Sequence, residues 1–200
     1  AYPRLVRENL PGAVLIYDLF HVVAHWTADV LVAAKQRCRE LVAKRIREQL
    51  EKQIAAGLLD MSKAEIQSAV NKAVKPLSGV EWMLVMPTDK IKEDKQKTLD
   101  TLIKDNELLS ALYPIADSIR HLWREKNQTE AEKQLNGIVR VLLDINKRFD
   151  FKPAKKFALM LRRRADGIMN AGKFGYTTNR LEGVNNKIKV LKRTAYGYRD

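Results

Sequence analysis

The chain has 200 residues, with 37 Lys plus Arg against 24 Asp plus Glu and a formal charge of +13. A hydrophobic content of 46% excludes a disordered chain, and one cysteine, Cys38, excludes a disulfide framework. No apolar run reaches the roughly 18 residues of a membrane span, and no signal peptide opens the chain. Length and composition predict a single basic globular domain in a reducing, intracellular compartment, with a polyanion as partner. Residues 150–200 hold 13 basic and 4 acidic side chains, so +9 of the +13 lies in the last quarter. A basic helix is often no more than a solvated face, and that reading stands beside the nucleic-acid one.

In chain order, Tyr2–Leu10 reads as a short amphipathic helix closed by Pro11-Gly12. Ala13-Val14-Leu15-Ile16-Tyr17 is a continuous apolar run with the pattern of a strand buried on both faces, and it ends in Asp18-Leu19-Phe20-His21. From Val22 to about Ala56 apolar positions recur at helical spacing, with Gly57 as the stop. Ser62 and Glu65 form a capping box for a helix that ends before Pro76. Val80–Met86 fits either a strand or a buried turn. Helices are predicted over 89–105 and 107–126, the second kinked or split at Pro114. Thr129 to Glu132 reads as another capping box, for a helix running to about Asp150. Pro153 suits the first turn of a helix through about Asn170. Gly172, Gly175 and Thr177-Thr178 mark a loop before a last helix at about 180–193.

Several residues invite a functional reading and admit a plainer one. His21 and His25 are spaced i, i+4 with Asp29 one turn on, yet no His-Glu-x-x-His motif is present, so packing outweighs a zinc site. Trp26, Trp82 and Trp123 read as core and not as base-stacking platforms; His121 reads the same way. Cys38 lies among Lys35, Arg37 and Arg39, which would lower its pKa, but no partner motif supports thiol catalysis. Asp18 is either a carboxylate at the edge of a site or the cap of the next helix.

The last helix is the sharpest segment. Asn179 followed by Glu182 is a helix-start signature. Leu181, Val184, Ile188 and Leu191 form one stripe, while Glu182, Asn186, Lys189 and Arg193 share another face. A carboxylate heading a row of amide and cations suits a metal beside a phosphate, and it equally suits a simple helix cap.

Thr178-Asn179, Glu182-Gly183, Asn185-Asn186 and Ile188-Lys189, then Lys192-Arg193 and Ala195-Tyr196-Gly197, closely resemble the carboxyl-terminal signature of bacterial insertion-sequence transposases of the ISL-three family. Pro11, Ala13 and Asp18-Leu19-Phe20-His21 match that family's Asp-x-Phe-His motif after its apolar strand. Trp82 and the Leu161–Arg164 run fall at the expected intermediate places, so the resemblance covers essentially the whole chain.

The resemblance implies a DDE transposase with a ribonuclease-H-like core, in which two Asp and one Glu hold two Mg²⁺ (or Mn²⁺) ions for DNA cleavage and joining. Glu182 matches the triad glutamate. The family pattern places its first aspartate upstream of Ala1. Asp18 is then either the second triad aspartate or, with His21, an auxiliary signature beside the site. The implied architecture is mainly α with a small α/β part: residues 1–21 and 171–200 contribute one strand and the closing helix of a partial core, and 22–170 form a helical insertion. Lys155, Lys156, Arg162, Arg163, Arg164, Asn186, Lys189, Lys192 and Arg193, with Lys152 and Lys187, are the expected DNA-binding residues. The implied partners are double-stranded DNA and further copies of the chain on it, in a bacterial cytoplasm, associated with the nucleoid and with no membrane. This chain alone is expected to be inactive for want of the upstream aspartates. The competing class is a non-catalytic basic helical DNA- or RNA-binding protein, for which charge and helices suffice.

Overall fold

A computed structural model describes the backbone of residues 2–87, 90–175 and 179–194, and the side chains of these except 2–4, 7 and 179–185. Among the described residues all regular structure is helical. The mainly-α expectation holds. The predicted strand does not form: after α1 (Tyr2–Asn9) the segment 13–18 pairs with no other strand. Three of its backbone groups are bonded by residues of helices instead. Tyr17 N–H donates to Gly167 O at 2.9 Å, Asn170 Nδ2 donates to Leu15 O at 3.2 Å, and Trp123 Nε1 donates to Tyr17 O at 3.1 Å. An apolar run of strand length has the right pattern for a sheet, but no second strand stands beside it among the described residues.

A long helix follows in three continuous pieces: α2 (Leu19–His25), a π-helical stretch (Trp26–Leu31) and α3 (Val32–Ala55). The π stretch turns Trp26, Thr27, Val30 and Leu31 into the core; such insertions in an α-helix interrupt its hydrogen-bond ladder and often sit at functional places. Helix α4 (Lys63–Val74) starts on the predicted capping box. Ser62 Oγ accepts from Glu65 N–H at 3.3 Å and Ser62 N–H donates to Glu65 Oε2 at 2.8 Å. The bonds from the Ser62 hydroxyl and backbone hold the Glu65 carboxyl below its ordinary range.

Val80–Val85 is a helix, α5, where a strand or turn was expected. It opens after Gly79, whose φ of 76° only glycine adopts at no cost. It turns Val80, Glu81 and Leu84 inward and leaves Trp82 63% exposed, so Trp82 is not a core residue. Glu81 takes a hydrogen bond from Lys35 Nζ at 2.6 Å, tying α5 to α3. Helix α6 (Glu93–Asp105) precedes α7 (Glu107–Leu112) and α8 (Ile115–Arg124), which are split at Pro114 as predicted. Asn127, and not a Thr129 capping box, starts α9 (Gln128–Phe149): its carboxamide oxygen accepts from Thr129 and Glu130 N–H. Helix α10 (Lys152–Arg163) carries Pro153 in its first turn. The helix expected to run to Asn170 breaks at Arg164 into α10 and α11 (Ala165–Phe174). Helix α12 (Asn179–Thr194) closes the described chain.

One apolar core joins α2, the π stretch, α3 and α5 to α11, with Val22, Trp26, Leu84, Leu109, Leu122, Leu142, Phe157, Leu161 and Ile168 among its members. α10 packs chiefly on α9 and also against the π stretch. Trp26 meets Phe157 with ring centroids 5.1 Å apart. The amphipathic period of α10 sets this arrangement: Ala154, Phe157, Ala158 and Leu161 are buried, while its lysines and arginines face outward.

Candidate nucleic-acid interface

Asp18 is half-buried and N-caps α2, its Oδ1 accepting Phe20 N–H at 2.6 Å. The capping reading of this residue is therefore what the geometry shows. His21 is exposed, with its ring edge-on to Phe20 at 5.7 Å between centroids. His25 Nδ1 lies 3.1 Å from Asp29 Oδ2, an exposed i, i+4 contact. His121, expected in the core, is exposed on α8. Glu182 falls in the first turn of α12, but its side chain, like Thr178 and Ala195 to Gly197 of the terminal signature, lies outside the described residues.

No group of three or more His, Cys, Asp or Glu side chains stands together among the described residues. Cys38 is not activated by its basic neighbours. Burial pushes its thiol up to about 11, against the lowering effect of the Arg37 guanidinium, because a thiolate loses more by desolvation than it gains there.

What the fold does assemble is a cationic surface. α10 carries Lys152, Lys155, Lys156, Arg162 and Arg163 and not one carboxylate. All five are exposed, and none forms an ion pair among the described residues. Arg164 departs from this set: it is half-buried, with its guanidinium over the Tyr17 ring at 5.1 Å from the centroid. On α12, Asn186, Lys187, Lys189, Lys192 and Arg193 are exposed. α10 and α12 thus each present exposed cations, the side-chain type that pairs with phosphate.

The residues that seat the Asp18 motif escaped the sequence reading. Gly167 is one: a Cβ there would stand 2.5 Å from Tyr17 Cδ2. Trp123 and Asn170 are the others, through their bonds to Tyr17 O and Leu15 O. Only a contact between positions more than a hundred residues apart gives them this role, and no local pattern encodes it.

The described residues thus form a helical body with a cationic face, and a motif of the resemblance noted above lies toward each end of the chain. The family model described as transposase, for the DDE transposases of ISL-three elements, matches residues 1–200, and the chain belongs to that family. It is 26% identical over 200 residues to the transposase for insertion sequence element IS1001 of Bordetella parapertussis, a match that takes in 100% of this chain and 42% of that protein. No solved structure matches the chain. No described helix is long and apolar enough to cross a membrane.

Proposed function

We propose that this chain serves metal-dependent DNA strand cleavage and strand transfer at insertion-sequence ends, and that its own share is to hold DNA phosphates on α10 and α12 beside Glu182. The observation that carries the reading is the exposed set of five cations on α10, with no carboxylate on that helix and no ion pair among the described residues. A nuclease must bring a polyanion up to its own carboxylates, so cations have to surround that approach. Family membership supplies the class of reaction.

The finer architecture belongs to the same proposal. Residues 1–21 and 171–200 are read as parts of a ribonuclease-H-like core and 22–170 as an insertion into it, on the strength of the two motifs. Glu182 is read as a metal ligand of the full site, with Asp18 and His21 near it. Double-stranded DNA and further copies of the chain on that DNA are the partners, in a bacterial cytoplasm. Because the family pattern places its first triad aspartate upstream of Ala1, the 200-residue chain alone is expected to bind DNA without cutting it. Mg²⁺-dependent cleavage by the purified chain, abolished by Glu182→Gln, would overturn that expectation.

The binding itself is tested by replacing Lys189, Lys192 and Arg193 together with Ala and measuring duplex affinity over a salt series. The dependence of log affinity on log salt should become shallower by about 2–3 units, at about 0.9 per phosphate released. Binding should weaken on all sequences alike. An unchanged slope would return α12 to a merely solvated helix.

A further inference from the structure

The two basic dipeptides of α10, Lys155-Lys156 and Arg162-Arg163, stand seven residues apart. Seven residues is close to two helical turns, so the four side chains form two rows about 100° apart around the axis. Lys155 shares one row with Arg162, and Lys156 shares the other with Arg163. Among the described residues, the second row lines a cleft. Lys156 and Arg163 line a space of ≈ 590 Å³ between the π-helical stretch and α10, with His25 and Asp29 on the opposite wall. Lys155 and Arg162 do not line it.

Asp29 is the one carboxylate on that wall, and it is bonded to His25 at 3.1 Å and to neither cation. Two cations therefore face the cleft without a carboxylate partner. Its remaining lining is apolar, from Ala28, Pro153, Phe157 and Met160. At Pro153 the cleft meets a second one, of ≈ 640 Å³, where Lys152, Arg37 and Lys44 stand with Glu40 and Asp150. There Arg37 donates to the Asp150 backbone carbonyl at 3.0 Å, and Glu40 accepts from Gln36 at 2.7 Å. Cations thus outnumber carboxylates along the whole trough. From Lys152 to Arg163 it follows α10 for about 16 Å, at a rise of about 1.5 Å per residue. The trough is a surface groove beside the contact of α10 with the π stretch, and a space of ≈ 590 Å³ has room for a short stretch of one strand and not for the cross-section of a duplex.

We infer that this trough holds a single DNA strand, with its phosphates on Arg163, Lys156 and Lys152, while Lys155 and Arg162 remain on the outer surface that meets duplex. The inference rests on the proposed transposase reading, since cutting and joining produce a strand that has to be held apart from its complement. It goes beyond that reading in assigning the two rows of one helix to two forms of DNA.

The test uses the whole 200-residue chain, an oligothymidine of about 12 nucleotides, within the usual range of single-strand site sizes, and a blunt duplex. Binding of each is followed by fluorescence anisotropy over a salt series. Two charge-matched variants are compared, Lys156→Ala with Arg163→Ala, and Lys155→Ala with Arg162→Ala. The first should make the single-strand salt slope shallower by about 1.4, at about 0.7 per phosphate, and leave the duplex slope in place. The second should make the duplex slope shallower by about 1.8 and leave the single-strand slope in place. Equal losses from both variants, or no loss of single-strand binding from the first, would overturn the trough. If the wild-type chain binds neither oligonucleotide, the proposed function fails with it; if duplex binding persists and only the trough variant is silent, the trough alone fails.

Discussion

Tyr17, the residue before the Asp18–His21 motif, gives its N–H to Gly167 O and takes Trp123 Nε1–H on its own carbonyl, with Arg164 over its ring. At the other motif, every described side chain of α12 from Asn186 to Thr194 is open to solvent, and Ile188 and Leu191 are 46% and 66% exposed. Two family motifs of similar specificity are thus held in opposite ways. The first is locked onto α8 and α11 by backbone bonds and ring contacts. The second is carried on a helix whose described side chains of the apolar stripe, Ile188 and Leu191, meet little of the described chain. A stripe at helical period shows that a face favours burial, and it does not say against what.

The contrast can be broken or sharpened by substitution. The largest effect should come from Phe157→Ala, beneath the π stretch that follows the first motif: truncating a buried aromatic costs about 3–5 kcal/mol, seen as a lower denaturation midpoint. Gly167→Ala should follow, because the new methyl meets the Tyr17 ring and the seat must shift. Overpacking of this kind costs about 1–3 kcal/mol, and tyrosine fluorescence of Tyr17 against a Tyr17→Phe background would report whether the seat itself moves. Asp18→Ala removes the cap of α2 and should lower stability by about 1 kcal/mol, whereas Asp18→Asn keeps a capping oxygen and should lose far less. An equal loss from both would mean that the charge, and not the cap, is what α2 needs. At the small end, Leu191→Ala should change stability by less than about 0.5 kcal/mol, as for an exposed site. A loss near that of Phe157→Ala would show that α12 packs in solution and would erase the contrast.

Much of the helical order was legible. The Ser62–Glu65 box, the stop before Pro76, the split at Pro114 and the start at Pro153 are local signals in which side chain and backbone of neighbouring residues interact, and each appears in the fold. Several readings needed correction, and two of them share one reason. Ala13–Asp18 and Val80–Met86 are short apolar runs, which fit strand or helix alike until neighbouring elements decide. Trp82 was placed inside by its chemistry, yet α5 has one buried face, and Val80, Glu81 and Leu84 occupy it. The Arg164 break within the expected long helix had no glycine or proline to announce it.

For the site, the sequence by itself determined the basic end of the chain, the two motifs and the membership they imply, because charge and motif spacing are properties of the chain in order. The tertiary structure alone decided that Asp18 caps a helix, that Trp123, Gly167 and Asn170 seat the segment before it, and that Lys156 and Arg163 turn toward a trough while Lys155 and Arg162 do not. Seat and trough alike are made by residues brought together from far along the chain: Tyr17 meets Gly167 and His25 faces Lys156. Such pairings are fixed by which apolar faces bury one another, and no local pattern of residues carries that information.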